Sequence, residues 1–147
     1  MAHSIQQQRV HNPMWLYEHN FATLSALFPG LILGNESIVQ HESEQSRLTL
    51  QIREKNKYTL LLEATEQYAG SPSWRQALQM RIRLYTDAKL AEVVSYQGRA
   101  RFLPKYDTPN PKMYQRDEKR QINHLLYDWL LYINRRRHRK NKEAFLS

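Results

Sequence analysis

The apolar residues of this chain change period twice. Tyr17, Phe21, Leu24 and Phe28 recur at helical spacing, with Leu27 beside them. That is the buried stripe of an amphipathic helix. Asn12-Pro13 reads as an N-cap with proline at the first helical position, and Pro29-Gly30 reads as the stop. Residues 31–46 read as a connection with a short strand at Ser37–His41.

From residue 48 the period falls to two. Leu48, Leu50 and Ile52 alternate with Thr49, Gln51 and Arg53. Tyr58, Leu60, Leu62 and Ala64 then alternate with Thr59, Leu61 and Glu63, with Lys55-Asn56 as the tight turn between the two runs. A polar loop holds Gly70, Ser71, Pro72 and Ser73. Beyond it, Leu78, Met80, Ile82 and Leu84 alternate with Gln79, Arg81, Arg83 and Tyr85. Asp87-Ala88-Lys89 turns into Leu90–Tyr96, and Gly98 turns into a further run at Arg99–Leu103. The pattern predicts an α+β fold: an antiparallel meander of four to five strands, one face covered by an N-terminal and a C-terminal helix.

The helical period returns with Ile122, Leu125, Leu126, Trp129 and Ile133. Extended backwards, this stripe meets Gln115, Glu118 and Lys119, so it is apolar at one end and charged at the other. Two helix starts fit: Asn110 as N-cap with Pro111 at N1, or a start near Gln115 with Asp117 and Glu118 at the positive end of the dipole. The charged end either overhangs into water or forms a polar pocket against the sheet. A buried Glu118 or Lys119 would need a partner.

Composition narrows the function classes. The 147 residues suffice for one domain with a core, expected at 1–134 with residues 1–11 poorly ordered. No apolar run reaches the ~20 residues of a membrane span. The N-terminus has no apolar segment of a secretory leader. There is no cysteine, which removes disulfides and thiol chemistry and fits a cytoplasmic location. The formal charge of +8 is unevenly spread. Residues 1–46 carry net −3, residues 47–100 net +4 and residues 101–147 net +7. Residues 135–147, with Arg135, Arg136, Arg137, Arg139 and Lys140, form a basic tail of net +5.

The candidate chemistry is sparse. His3, His11, His19, His41, His124 and His138 show no metal-ligand spacing, so no metal site is expected. There is no P-loop, dinucleotide fingerprint or nucleophile elbow. No cofactor is implied, and an enzyme acting on a phosphate or nucleotide substrate is the least favoured reading. The candidate binding site is instead the start of the last helix: Tyr106, Asp107 and Asn110 with Gln115, Arg116, Asp117, Glu118 and Lys119. There Arg116 would clamp an anion or a partner's carboxylate bidentately, oriented by Asp117 or Glu118. A second reading uses Arg53, Arg81 and Arg83 on the polar sheet face, together with the basic tail, to bind RNA or DNA. The same arginines also suit a solvated face that discourages edge aggregation.

One resemblance accompanies these readings. The run YDTPNPKMYQRDEKRQIN with its W-L helix, the segment MRIRLYTDAKLAEV and the R-L-T hairpin start resemble the bacterial YqiB-like family of unknown function. The resemblance covers roughly residues 13–134 and leaves the basic tail outside. It implies a small cytoplasmic α+β protein and brings no activity, cofactor or catalytic residue. The reading is then a non-enzymatic binding or regulatory domain whose partner is a protein or a small anionic ligand, with nucleic acid as the alternative.

Overall fold

The computed structural model describes residues 13–70, 78–97 and 111–146, the last segment with side chains at 119–137 only. Helix α1 spans Pro13–Leu27 and is followed by the single turn α2, Pro29–Ile32. Strands β1 (Ile38–Glu42), β2 (Ser46–Lys55), β3 (Thr59–Tyr68), β4 (Leu78–Tyr85) and β5 (Leu90–Gln97) form one five-stranded sheet in sequential antiparallel order. Helix α3 runs from Pro111 to Leu146. The α+β meander with a helix from each end is therefore the fold. The expected run at Arg99–Leu103, like residues 1–11, lies outside the described residues.

The alternation works as the pleat requires. Leu48, Leu50, Leu60, Leu62, Ala64, Leu78, Met80, Ile82, Leu84, Ala91 and Val93 all face the helices and are buried. The intervening Arg53, Arg81 and Arg83 face away and are exposed. The first hairpin is looser than a two-residue turn. Residues 56–58 connect the strands, so Tyr58, expected on the inward line, instead lies in the connection and is exposed, and the register slips between Ile52 and Glu54. Arg53 sits at that bulge and so gains freedom to lean across the sheet.

Pro29 does more than end α1. It occupies the first position of α2, where its missing N–H has no helical acceptor to lose. Phe28, at the junction, is buried in the core. The connection then folds back tightly: a side chain at Gly34 would place its Cβ 2.8 Å from the Gly30 carbonyl oxygen. In α1 the buried line is Leu16, Asn20, Phe21, Leu24 and Leu27, while Tyr17 is half-buried at its margin.

Helix α3 begins at Pro111, which selects the proline-first start over the one near Gln115. It crosses the helix-covered face obliquely, from β5 to the β1–β2 turn. At one end Asn123 Oδ1 accepts the Val93 N–H at 2.8 Å. In the middle Trp129, fully buried, donates its indole N–H to Glu66 Oε2 at 2.8 Å. At the other end Arg136 reaches Ser46. The Asn123 contact matters for the sheet as a whole. It supplies an acceptor to an edge-strand amide that would otherwise be buried and unpaired. At this point of β5 the outward amide is capped by α3.

Candidate functional site

Three polar groupings emerge from the described residues. The first is buried. Asn123 occupies a position on the apolar stripe of α3 and has no exposed surface. Besides accepting from Val93, it donates Nδ2 to the Lys119 carbonyl at 2.9 Å. Its own carbonyl accepts from Asn20 Nδ2 at 3.1 Å, which ties α1 to α3. Glu66 belongs here too, as it shares the inward parity of Leu60, Leu62 and Ala64. Each of these side chains has a partner on another element, although Asn20 Oδ1 itself has none among the described residues, and the bonds serve to fix where the helices sit.

The second lies on the open sheet face. Glu63 is only 7% exposed, although it points away from the core. Arg53 donates to its Oε1 at 3.0 Å and Arg81 to its Oε2 at 3.3 Å. The two arginine side chains, each about half-exposed, cover the carboxylate from either side. The hydrogen bond from Arg53 holds the Glu63 carboxyl below the usual range against the opposing effect of burial, with Arg81 adding to it. Two of the three arginines in the nucleic-acid reading are thus engaged with one internal carboxylate.

The third is a cleft of about 520 Å³, including space open to solvent, between the β1–β2 turn and α3. Its floor is Leu48 and Ile133, and its polar rim includes His41, Ser43, Ser46, Arg136 and Arg137. Arg136 Nη1 donates to Ser46 Oγ at 3.2 Å and to Tyr132 Oη at 3.0 Å. Its Nη2 donates to Ser43 Oγ, and its guanidinium lies 5.2 Å from the Tyr132 ring centre. Arg137 donates to the Leu27 carbonyl, at the C-terminus of α1, and lies 5.5 Å from the Phe28 ring centre. Glu42, the carboxylate on the wall, pairs instead with Arg47. Among the described residues no carboxylate pairs with Arg136 or Arg137. Neutral hydroxyls, a carbonyl and two ring faces hold them, so two adjacent positive charges face a partly apolar cleft.

Residues 23–139 match the family described as a protein of unknown function, DUF1249. The chain belongs to this family. It is 45% identical over 120 residues to the uncharacterized protein YqiB of Escherichia coli K12, covering 81% of this chain and 84% of that protein. The YqiB proteins of Escherichia coli O157:H7 and O6:H1 match to the same extent. No solved structure matches the chain. The DUF1249 span takes in both walls of the cleft, and it runs past Asn134 to include Arg135, Arg136, Arg137 and Arg139. The basic segment therefore falls partly inside the family pattern, not outside it as the resemblance alone implied.

The residues expected to bind fall out as follows. Tyr106, Asp107 and Asn110 lie outside the described residues, as do the side chains of Gln115, Arg116, Asp117 and Glu118 on the first turns of α3. Lys119 is described: it is exposed and pairs with Glu92 of β5 at 2.6 Å. The Glu92 carboxylate raises the Lys119 pKa, chiefly through this hydrogen bond. Tyr17 stands near this pair, its pKa raised by burial. Arg53, Arg81 and Arg83 share the open sheet face, whereas Arg136 and Arg137 lie on the opposite, helix-covered side. The structure does not bring these two sets together. Arg135 is exposed, and the side chains of Arg139 and Lys140 are outside the described residues.

Sequence reasoning missed the cleft, although a signal for it existed. Arg136 is three residues beyond Ile133 and four beyond Tyr132, so it continues the buried stripe of α3. A tail that keeps helical phase with a core stripe stays on the same face. Among the described residues no group of three or more His, Asp or Glu is placed to hold a metal ion. No helix among them is long and apolar enough to cross a membrane.

Proposed function

We propose that this protein is a non-enzymatic binding domain that takes an anionic group in the cleft beside Arg136 and Arg137. One observation carries the reading: two neighbouring guanidinium groups whose partners among the described residues are all neutral. A charge already paired with a carboxylate has little left to offer a ligand. A charge steadied by hydroxyls, a carbonyl and ring faces keeps its field, and its remaining N–H groups can meet an oxyanion. Ser43 and Ser46 add hydroxyls at the same rim, and His41 also lines it. The apolar floor at Leu48 and Ile133 favours a ligand whose anionic group is attached to something less polar.

The nucleic-acid alternative has weaker support. The tail arginines and the sheet arginines stand on opposite faces, and Arg53 and Arg81 are committed to Glu63. A strand reaching both sets would have to pass around a sheet edge. The phosphate backbone could still use either set alone.

Titration with inorganic phosphate, followed by amide chemical shifts, tests the proposal. Shifts centred on Ser43, Ser46 and Arg136 are expected, weakening with added salt. Arg137→Gln should reduce affinity about tenfold, as loss of one charge-assisted hydrogen bond would. Shifts spread evenly over the surface, or unchanged affinity in that variant, would refute it.

A further inference from the structure

The sheet has two edges, and the structure treats them differently. On β5 the outward Val93 amide is capped by Asn123. The β1 edge has no strand beside it among the described residues. Which backbone groups point outward there follows from the ladder. The Ile52 N–H donates to the Ser37 carbonyl and the Ser43 N–H to the Ser46 carbonyl. These bonds flank the pairs Ile38↔Gln51 and Glu42↔Arg47, which are therefore the wide, non-bonded pairs of the antiparallel pattern. Alternation makes Gln40↔Thr49 a wide pair as well. The N–H and C=O groups of Ile38, Gln40 and Glu42 thus face away from β2, about 6.8 Å apart. They form a template for another strand.

This template ends at the cleft. Glu42 is its last residue, and Ser43, the next, accepts from Arg136. We infer that the occupant is an extended acidic peptide segment of a partner protein, which adds to the sheet along β1 and sets its carboxylates against Arg136 and Arg137. This rests on the anion-binding reading of the cleft and specifies what brings the anion. Strand addition gives affinity through main-chain hydrogen bonds, and a pocket at one end of the strand gives specificity. An acidic occupant suits the two guanidinium groups of Arg136 and Arg137 at the end of the strand. Alternate side chains of the added strand would face the helix-covered side beside His41 and Phe28, whose rings already lie 6.1 Å apart at the rim.

The test compares wild type with Gln40→Pro. The Gln40 amide takes no part in the β1–β2 ladder, so proline there removes an outward donor and leaves the sheet's own bonds in place. The probe is a short fluorescein-labelled peptide of alternating Val and Thr ending in two Glu. Controls are the same peptide ending in two Lys, a single-stranded RNA of similar length, and inorganic phosphate. Wild type should bind the acidic peptide at least tenfold more tightly than the Lys-ended one. Gln40→Pro should lose most of that binding yet bind phosphate as before. In wild type, hydrogen exchange at the Gln40 and Glu42 amides should slow when the peptide is added, a readout that does not depend on the variant folding. Phosphate binding without peptide binding would overturn the strand and spare the anion site. RNA binding with no amide protection, or peptide binding unaffected by Gln40→Pro, would also overturn it. Binding of neither phosphate nor peptide would overturn both.

Discussion

Trp129→Phe is the most informative single perturbation of this fold, because Trp129 joins α3 to a buried carboxylate at the centre of the sheet. The indole N–H donates to Glu66 Oε2 at 2.8 Å, and Glu66 is 3% exposed. Phenylalanine keeps the aromatic contact but removes the donor. Losing a hydrogen bond to a buried acceptor costs about 1–3 kcal/mol. The smaller ring leaves a void of about 40 Å³, worth about 1 kcal/mol at ~24 cal/mol per Å³. The expected loss is therefore about 3 kcal/mol, a large share of the ~5–15 kcal/mol available to a domain. Glu66→Gln keeps an accepting oxygen and should cost about 1 kcal/mol. The double variant should cost less than the two together, since the shared bond is lost only once. Urea unfolding followed by far-ultraviolet circular dichroism measures all three. A Trp129→Phe variant within about 1 kcal/mol of wild type, or strict additivity in the cycle, would refute the claim that this bond anchors α3.

Two further outcomes follow from the other polar groupings. Glu63 titrates below its unfolded value because of Arg53 first and Arg81 second, so folding favours its ionised form. Its contribution is complete above the unfolded carboxyl pKa of about 4.3 and is lost as the pH falls toward the depressed folded value. Glu63→Gln should then cost about 1 kcal/mol near neutrality, discounted for the half-exposed arginines, and the difference from wild type should shrink in acid. An unchanged difference at low pH, in urea midpoints, would count against the pairing. Asn123→Ala leaves the Val93 amide without its acceptor at a covered edge and should cost about 2–3 kcal/mol. Exchange of the Val93 amide should quicken far more than that of Leu50, and equal effects at both would contradict the capping role.

How much was legible in the sequence depended on whether a residue obeyed the simple rule that apolar side chains face inward. Where it did, the chain could be read directly. The two-residue period of β2 to β4 and the helical period of Leu125, Leu126, Trp129 and Ile133 follow from backbone geometry alone, and both survive in the structure. Glu66, Asn20 and Asn123 break the rule. Each occupies an inward position by phase, and each is tolerable there only because another element supplies a partner. A partner far away in the chain leaves no local trace.

The candidate site divides in the same way. Sequence determined that Arg136 and Arg137 exist within a basic run of residues, and it placed Ser43 and Ser46 only in a connection. It also determined the meander itself, since consecutive short-looped strands pair with their neighbours. Only the tertiary structure decided that α3 crosses the sheet obliquely, so that its last core turn meets the β1–β2 turn and brings those four residues to one cleft. Only it decided that the same helix caps the Val93 amide of β5, while β1 has no strand beside it among the described residues. The crossing angle of a helix on a sheet comes from how side chains of both interlock, and that depends on contacts across the whole face. A periodic pattern says which side of the helix is buried; it carries no information about the direction in which the helix lies on the sheet.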